Sequence, residues 1–242
     1  VFPVQIHALT QDAPHWVDLN DADKNTMVVD VVASYQLLDG GKASSIDDLA
    51  TFDQKVSDLG VLLKAEKLMM ASPEQALAQS QRLEKFYADS HGPLEVSVCA
   101  PEGQAFIGKL VETSAKQQGL DFLDGEYVRL KRMASDSIIL YRMRNDDAPS
   151  FDQEMSSNGV IKSVRFSMNP ALSQTPGRDA KEMLDAVKAF ASRVKGDIRI
   201  PGKSTFHTDQ LLNLRNRVSK LEKDMIQAGL EPGSQEIKRI FS

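Results

Sequence analysis

Cysteine and histidine are scarce in this sequence, and their scarcity excludes several kinds of site. The one cysteine, Cys99, rules out an intramolecular disulfide and fits a reducing compartment. The four histidines lie far apart and have no second cysteine to complete a zinc-binding spacing. No apolar run approaches the ~20 residues of a membrane-spanning helix, and no signal peptide opens the chain. The sequence therefore predicts no bound metal and no cofactor.

Basic residues are outnumbered by acidic ones, and the residue combinations typical of enzymes are missing. The formal net charge of −5 argues against general nucleic-acid binding, for which a basic face is usual. Each histidine lies alone, without a nucleophile and a carboxylate at the spacing of a catalytic triad. Gly103 and Gly108 match neither the dinucleotide nor the phosphate-loop pattern, which favours a role in turns. We therefore expect a protein that is not an enzyme and takes no small-molecule substrate.

The sequence does contain an internal repeat, in which the second copy lies 135 residues after the first. Asp12-Ala13-Pro14 recurs as Asp147-Ala148-Pro149, and an aromatic residue follows one position later in both copies. Matching apolar residues alternate, as in strands with one buried face, or recur every three or four positions, as along helices. The strand matches are Val4, Ile6 and Ala8 with Ile139, Tyr141 and Met143, and Val29, Val31 and Ala33 with Val164, Phe166 and Met168. The helix matches are Leu49, Phe52, Val56 and Leu59 with Leu184, Val187, Ala191 and Val194, and Leu77, Leu83 and Phe86 with Leu212, Val218 and Leu221.

The second copy predicts a complete α+β module, and the first copy an incomplete one. The strands of the second copy are predicted at 94–98, 127–131, 138–144, 160–168 and 197–200, and its helices at 106–118, 179–194 and 208–228. The order β-α-β-β-β-α-β-α predicts a mainly antiparallel sheet with helices on one face. The 135-residue shift places the first strand, helix and second strand of copy one before Val1. We therefore expect two tandem modules, an incomplete one at 1–91 and a complete one at 92–242, within a fragment of a longer protein.

The period of two divides the sheet of the second module into a helix-facing side and an exposed side. The side expected to face the helices carries Leu94, Val96, Val98, Val128, Leu130, Ile139, Tyr141, Met143, Val164, Phe166 and Met168. The other side carries Glu95, Ser97, Tyr127, Arg129, Lys131, Ile138, Leu140, Arg142, Arg144, Ser163, Arg165 and Ser167. Two interpretations are open: a solvated face, or a peptide groove with apolar contacts and arginines that bind an acidic partner.

Three motifs of the second copy resemble the family of the C-terminal domain of the bacterial cell-division protein ZipA. Phe151-Asp152-Gln153-Glu154-Met155 is similar to that family's F-D-P-E-M stretch, and Gln117-Gln118-Gly119 to its Q-Q-A-G. The glycines at 103, 108 and 119 follow the family's spacing, and 166–170 resembles the strand end before its second helix. The resemblance covers about 94–228. The duplicated module and the ending Ile240-Phe241-Ser242 resemble ZipA-like proteins of betaproteobacteria.

The resemblance implies a non-catalytic adaptor that binds the C-terminal tail of the tubulin-like protein FtsZ by helix-in-groove recognition. It further implies a place on the cytoplasmic side of the inner membrane, reached through an N-terminal membrane helix that this chain lacks. Other divisome proteins are further candidate partners. Two alternatives stay open: a structural module whose exposed sheet face pairs with itself or another partner, and nucleic-acid binding on a basic sheet face, for which Tyr127 is the one outward aromatic.

The exposed side and the resemblance together give ten candidate peptide-binding residues. In the family the groove is lined by Val, Ile, Met, Ala and Phe, whereas this chain has polar residues in its first strand. Alignment on Phe151 implies groove positions for Met143 and Asn145, and Phe166 lies at or next to the family's groove phenylalanine. The alternation instead turns Met143 and Phe166 inward, and a slip of one residue separates the two interpretations. The candidates are Glu95, Ser97, Tyr127, Arg129, Lys131, Leu140, Arg142, Met143, Arg165 and Phe166.

Overall fold

The chain folds as two compact units, residues 1–90 with 240–242 and residues 91–239. This computed structural model describes residues 4–11, 15–19, 21, 27–66, 68–90, 92–132, 137–148, 150–151, 159–203 and 207–241. The tripeptide at 12–14, the turn at 133–136, Pro149 and most of the F-D-Q-E-M stretch lie outside the described residues. The interpretation of the chain as two modules with bounds 1–91 and 92–242 remains a prediction.

The first unit contains a small antiparallel sheet in the order β2-β1-β3, formed by β1 (Val4–Thr10), β2 (Trp16–Asp18) and β3 (Val28–Tyr35). A short hairpin, β4 (Leu38–Asp39) and β5 (Lys42–Ala43), precedes the helix α1 (Ile46–Leu62). Leu49 is buried on α1, and the ring of Phe52 on the same helix lies 5.1 Å from that of Tyr35. The predicted helix face is therefore confirmed where it meets the sheet.

Helix α2 (Pro73–Ser90) begins with the capping box that its sequence predicts. The backbone N–H of Gln75 donates to Oγ of Ser72 at 3.3 Å, and the N–H of Ser72 donates to Oε1 of Gln75 at 3.2 Å. Pro73 occupies the first helical position, where its missing N–H costs nothing. Three local residues thus determine where this helix starts.

The second unit contains eight strands, a 3₁₀ turn at Pro170–Leu172 and four helices in its described part. The strands are β6 (Leu94–Cys99), β7 (Phe106–Ile107), β8 (Asp121–Leu123), β9 (Glu126–Arg132), β10 (Ser137–Asn145), β11 (Val160–Ile161), β12 (Ser163–Met168) and β13 (Asp197–Arg199). The helices are α3 (Gly108–Gln117), α4 (Pro176–Val194), α5 (Thr208–Gln227) and α6 (Gln235–Phe241), the last ending in residues that belong to the first unit. None of the described helices of either unit is long and apolar enough to cross a membrane.

The main sheet of the second unit has the order β13-β6-β12-β10-β9-β8, and each neighbouring pair is antiparallel. The hairpin of β8 and β9 turns at Asp124 and Gly125, whose φ angles are 50° and 81°. Two successive positive φ values are typical of tight hairpin turns, where glycine is favoured. The predicted fold class, an α+β module with a mainly antiparallel sheet, is confirmed.

The core of the second unit lies between one side of this sheet and the helices. Phe166 on β12 is fully buried and meets the ring of Phe190 on α4, with 5.5 Å between ring centroids. The same cluster includes Val111 of α3 and Val218 of α5. Eight of the residues expected to face the helices belong to it: Leu94, Val96, Val98, Tyr141, Met143, Val164, Phe166 and Met168.

Two of the element bounds that differ from the sequence prediction have a direct physical reason. The strand predicted at 160–168 breaks at Lys162, because Oδ2 of Asp147 accepts the N–H groups of Lys162 and Ser163 at 2.7 and 3.0 Å. The residues before the break, β11, pair instead with β7. This pairing takes Phe106 and Ile107 into a strand, so the helix predicted from 106 begins at Gly108.

Strands β1 and β3 and helix α2 of the first unit overlap β10, β12 and α5 of the second when they are shifted by 135 residues. Helices α2 and α5 begin at 73 and 208, and Ala8 pairs with Val31 as Met143 pairs with Phe166. We predict that 3–87 and 138–222 share one backbone trace wherever both are described. Superposition of an experimental structure tests this, and unrelated surroundings for Leu49 and Leu184 would contradict it.

Candidate functional site

The side of the main sheet that is turned away from the core carries mostly charged and hydroxyl residues. The register places Ser97 opposite Arg165 and Arg165 opposite Arg144, so these three side chains share one side. It also places Arg142 opposite Val128. We call this surface the open sheet face; its residues are Glu95, Ser97, Cys99, Glu126, Arg142, Arg144, Ser163, Arg165 and Ser167, and Val128 lies buried beneath it.

Arg165 is held near the centre of the open sheet face by two carboxylates. Its Nε lies 2.7 Å from Oδ1 of Asp146 and its Nη1 lies 3.4 Å from Oε2 of Glu95. Oδ2 of Asp146 also accepts hydrogen bonds from Ser97 at 2.9 Å and Ser163 at 3.0 Å. Asp146 therefore organises two neighbouring strands, and Arg165 is positioned by acidic residues of its own chain.

The other two arginines of the open sheet face share one carboxylate. Glu126 accepts from Nη1 of Arg142 at 2.9 Å and lies 2.6 Å from Nε of Arg144. The Glu126 side chain is 15% exposed, whereas the arginines are 39% and 51% exposed. Each arginine side chain therefore stays partly open to solvent although it is already ion-paired. Exposed ion pairs of this kind contribute only ~0–1 kcal/mol each, so an incoming carboxylate can compete with them.

Tyr127 does not lie on the open sheet face, and its prediction as an apolar peptide contact there is wrong. Tyr127 pairs with Met143, belongs to the core cluster and is 2% exposed. Its ring lies 5.2 Å from the rings of both Phe122 and Phe151. Alternation in the sequence could not decide which residue of β9 faces the core, because Tyr127 and its neighbour Val128 are both apolar. Both are also buried in the structure. The register, which sets Val128 against Arg142, shows that β9 faces the opposite way from the prediction.

Arg129 lies on the helix-facing side for the same reason. It pairs with Tyr141, and its Nε donates to Oε1 of Glu182 on α4 at 2.7 Å. Its Nη1 donates to the carbonyl of Gly119 at 3.2 Å. This hydrogen bond to Glu182 raises the pKa of the Arg129 guanidinium. Arg129 therefore joins the sheet to α4 instead of meeting a partner on the open sheet face.

Burial also raises the pKa values of two tyrosines on the helix-facing side of the sheet, Tyr127 and Tyr141. Burial raises the pKa of Tyr127 to about 12, and burial, with the nearby charge of Glu182, raises the pKa of Tyr141 to about 12. An exposed tyrosine ionises near pH 10. Both phenols are therefore neutral in the folded protein at physiological pH.

We expect an alkaline titration to show these two tyrosines ionising near pH 12. Because their folded pKa values lie above the unfolded value of ~10, their contribution to stability is complete below pH 10 and is lost as the pH rises towards 12. Tyrosinate absorbance measures the ionisation, and Tyr141→Phe should remove part of the late step. A single step near the ordinary tyrosine pKa for all tyrosines would contradict the buried positions.

Met143 and Phe166 are both fully buried and belong to the core cluster. The alternation, which turns both inward, is confirmed for these two residues. The groove positions that the family resemblance implied for them are contradicted, because a peptide on the open sheet face cannot reach them. Of the ten candidates, Glu95, Ser97, Arg142 and Arg165 lie on the open sheet face.

Two more candidates, Lys131 and Leu140, line a groove at the end of β12. Beyond the pair of Arg142 with Ser167, β10 continues without a partner on this edge in the described chain. The groove has a volume of about 330 Å³, and its lining combines apolar residues with charged residues of both signs, among them Lys131, Arg142 and Asp179. We call it the β12-end groove; its lining includes Glu95, Lys131, Ile138, Ile139, Leu140, Arg142, Arg144, Ser167, Met168 and Leu172.

A bulge in β10 gives this groove part of its apolar surface. Ile139 pairs with Leu130 and Tyr141 with Arg129, so Leu140 is an extra residue between two successive pairs. Leu140 packs against the core, while Ile139 falls on the side of Leu130. A β-bulge is an insertion of one residue that reverses the alternation on one strand. It explains why the predicted sides were right for 141–144 and wrong at Ile139 and Leu140.

The sequence prediction missed two acidic residues that organise the site, Glu126 and Asp146. Both lie at strand ends, where a carboxylate can reach arginines on neighbouring strands, and their spacing from those arginines is not visible in the sequence. Ile139, expected in the core, lines the β12-end groove instead. The site thus combines apolar residues with Lys131 and with arginines that are ion-paired but still partly exposed. Such an arrangement suits a short amphipathic peptide with acidic residues.

The fold and the site together define an α+β domain with one main antiparallel sheet, helices on one side of it and a groove at the end of β12. The family described as ZipA, C-terminal FtsZ-binding domain matches residues 93–217, more than half of the chain. The chain belongs to this family, and the resemblance stated from its motifs is confirmed. The family consists of FtsZ-binding adaptor domains of cell division and not of enzymes. No curated protein matches the chain.

Proposed function

We propose that this chain is a cell-division adaptor whose second unit binds the C-terminal tail of FtsZ in the β12-end groove and across the adjoining open sheet face. The observation that carries the proposal is the groove itself, whose lining brings isoleucine and leucine side chains together with Lys131, Arg142 and Arg144. Family membership supports FtsZ as the partner. We further propose that an N-terminal anchor outside this chain holds it at the cytoplasmic side of the inner membrane.

In this proposal the apolar residues supply most of the binding energy. Ile138, Ile139 and Leu140 are partly buried, so a peptide that covers them removes the rest of their apolar surface from water. A helical tail would present apolar side chains spaced i, i+3 and i+4 to the lining of this groove, the arrangement used in helix-in-groove recognition. Lys131 and the arginines then contact acidic side chains at the rim. Rim charges act mainly on the association rate and on its salt dependence.

Titration of a labelled FtsZ tail peptide with the full chain, followed by fluorescence anisotropy, tests the proposal. We expect saturable binding that weakens with salt, because part of the interaction is between exposed charges. A scrambled peptide of the same composition is the control for non-specific attraction. Absence of saturable binding at low salt and millimolar protein would overturn the proposal.

The ion pairs of the open sheet face lead to a second expectation, which is a gain in peptide affinity when one of their carboxylates is removed. Glu126→Gln removes the carboxylate shared by Arg142 and Arg144 and leaves both arginines free for an acidic ligand. Since exposed ion pairs are worth ~0.2–1 kcal/mol, we expect the variant to bind the tail peptide about 2–5-fold more tightly at low salt. The gain should disappear at high salt.

Glu112→Gln is the matched control for this experiment. Glu112 also bridges two cations, Lys109 at 3.0 Å and Lys116 at 2.7 Å, but it lies on α3 and not on the open sheet face. Peptide affinity should not change in this variant. Equal gains in the two variants would show that the effect is one of net charge and not of the arginines.

The nucleic-acid alternative loses the feature that supported it. Binding of single-stranded RNA on a sheet uses aromatic rings that stack on bases. Tyr127, the one aromatic expected on the open sheet face, is buried on the other side. The arginines of that face are moreover paired with acidic residues of their own chain.

A further inference from the structure

The edge strand β13 places a further arginine on the side of the main sheet that carries the open sheet face. Arg199 lies opposite Ser97 of β6, whereas Ile198 beside it packs against the core. Residues directly opposite each other in an antiparallel pair lie on the same side of the sheet. Arg199 therefore shares the side of Ser97, although it was not among the ten candidates predicted from the sequence.

Three arginines form a row that crosses the sheet at right angles to its strands. Beyond Ser97 the register continues to Arg165 on β12 and then to Arg144 on β10. Neighbouring strands lie ~4.8 Å apart, so Arg144 and Arg165 are about 5 Å apart at the backbone, and Arg165 and Arg199 about 10 Å. We call Arg144, Arg165 and Arg199 the arginine row.

The two ends of the arginine row differ in how their charge is compensated. Arg144 and Arg165 each have a carboxylate of their own chain within 3.4 Å. Arg199 is exposed, and its guanidinium has no ion pair and no hydrogen bond in the described part of the chain. Asp197 lies on the same side two residues earlier and does not pair with it. Arg199 therefore presents a guanidinium that can bind an external carboxylate through two parallel hydrogen bonds.

The other end of the arginine row concentrates positive charge at a cost in stability. Arg144 and Arg165 are like charges directly opposite each other, an arrangement that destabilises a sheet. Carboxylates of the chain offset part of this repulsion, yet the two side chains stay 51% and 40% exposed. A ligand with several carboxylates would offset more of it and would also reach Arg199. The charges of the row thus favour an acidic partner.

The arginine row begins at the proposed peptide site. Arg144 belongs to the lining of the β12-end groove, whereas Arg165 and Arg199 lie outside that lining, farther across the sheet. We propose, on the basis of the function proposed above, that the bound FtsZ tail continues from this groove across the strands to β13. One acidic residue of the tail pairs there with Arg199, which makes Arg199 a specificity-determining residue for that part of the peptide.

The spacing of the arginine row predicts how the acidic residues of a helical tail are spaced. Side chains three or four residues apart on a helix are ~5–6 Å apart, which matches Arg144 and Arg165. Residues seven apart are separated by ~10.5 Å along the helix axis, which matches Arg165 and Arg199. We therefore expect two carboxylates three or four residues apart and a third about seven residues farther along.

Titration of the labelled FtsZ tail peptide with Arg199→Gln tests this inference. The change removes the charge of Arg199 and keeps a polar side chain. Because the ion pair is exposed, we expect the affinity to fall about 2–5-fold at low salt and the loss to disappear at high salt. Circular dichroism verifies that the variant is folded.

Arg193→Gln is the matched control. Arg193 is also exposed but lies on α4, on the helix side of the sheet. This variant carries the same change in net charge and should leave the affinity unchanged. Equal losses in the two variants would show an effect of net charge alone and would overturn the inference.

A scan of the peptide identifies the partner of Arg199. Each acidic residue of the tail is replaced in turn by its amide, and each peptide is titrated with the unmodified chain and with Arg199→Gln. At one position the two changes together should weaken binding no more than either change alone, because they remove the same contact. Additive losses at every acidic position would overturn the inference.

Chemical-shift mapping of the ¹⁵N-labelled chain needs no variant and separates this inference from the proposed function. We expect the amides of β13 to shift with the same dependence on peptide concentration as the amides of the β12-end groove. Shifts at the groove without shifts in β13 overturn the inference and leave the proposed function standing. Absence of saturable binding to the unmodified chain overturns both.

Discussion

Replacing Phe166 by alanine is expected to lower the free energy of unfolding of the second unit by about 3–5 kcal/mol. Phe166 is fully buried at the centre of the sheet, between Met143 and Val96 on the neighbouring strands. Its ring contacts that of Phe190 on α4, so the truncation leaves a cavity between the sheet and the helix layer. A loss of this size is a large part of the stability of a domain of this size.

Urea unfolding followed by circular dichroism, together with amide exchange of β6 and β12, measures this loss. Phe122→Ala is the matched control, because Phe122 is 47% exposed and its truncation should cost much less. The only tryptophan, Trp16, belongs to the first unit and reports on that unit by its fluorescence. If Phe166→Ala leaves β12 exchange unchanged, the residue is not part of the core.

The second large effect is expected at Ile139. Placing a carboxylate there, as in Ile139→Glu, introduces a charge among the apolar residues that line the β12-end groove. A peptide bound in this groove must then desolvate the new charge, and the carboxylate repels the peptide's acidic residues. We expect the affinity for the FtsZ tail peptide to fall at least ~10-fold, which corresponds to ~1.4 kcal/mol. Fluorescence anisotropy at moderate salt measures the change.

The control for Ile139→Glu is a similar change at an exposed β-branched residue outside the groove. Val160 is 67% exposed on β11 and does not line the groove. Val160→Glu adds the same charge and should leave the affinity within about twofold, since the two sites share no contact. Equal losses in both variants would show that net charge alone weakens binding. Unchanged binding in Ile139→Glu would move the peptide away from this groove.

The difference between these two residues shows where sequence reasoning succeeds. Phe166 lies on a strand whose alternation is regular from Val164 to Met168, so a period of two suffices to turn it inward. Ile139 lies next to a bulge, where one inserted residue reverses the sides of the strand. A bulge depends on how two strands pair, and the sequence of one strand does not reveal it.

The sequence by itself determined the local elements and the family of this protein. Caps such as Ser72 with Gln75, the spacing of helix faces and the alternation on β6 and β12 depend on residues close in the chain. The antiparallel α+β fold follows from the order of these elements, and short motifs gave the family. Local signals of this kind can be read one segment at a time.

Only the tertiary structure decided which side chains form the candidate site. Tyr127 and Val128 are both buried, and the pairing of β9 with β10 alone shows which of them faces the helices. Glu126 and Asp146 organise the arginines from strand ends, across distances that sequence spacing does not encode. The physical reason is that strand register is fixed by non-local hydrogen bonds and packing, and a shift of one residue moves every side chain to the other face.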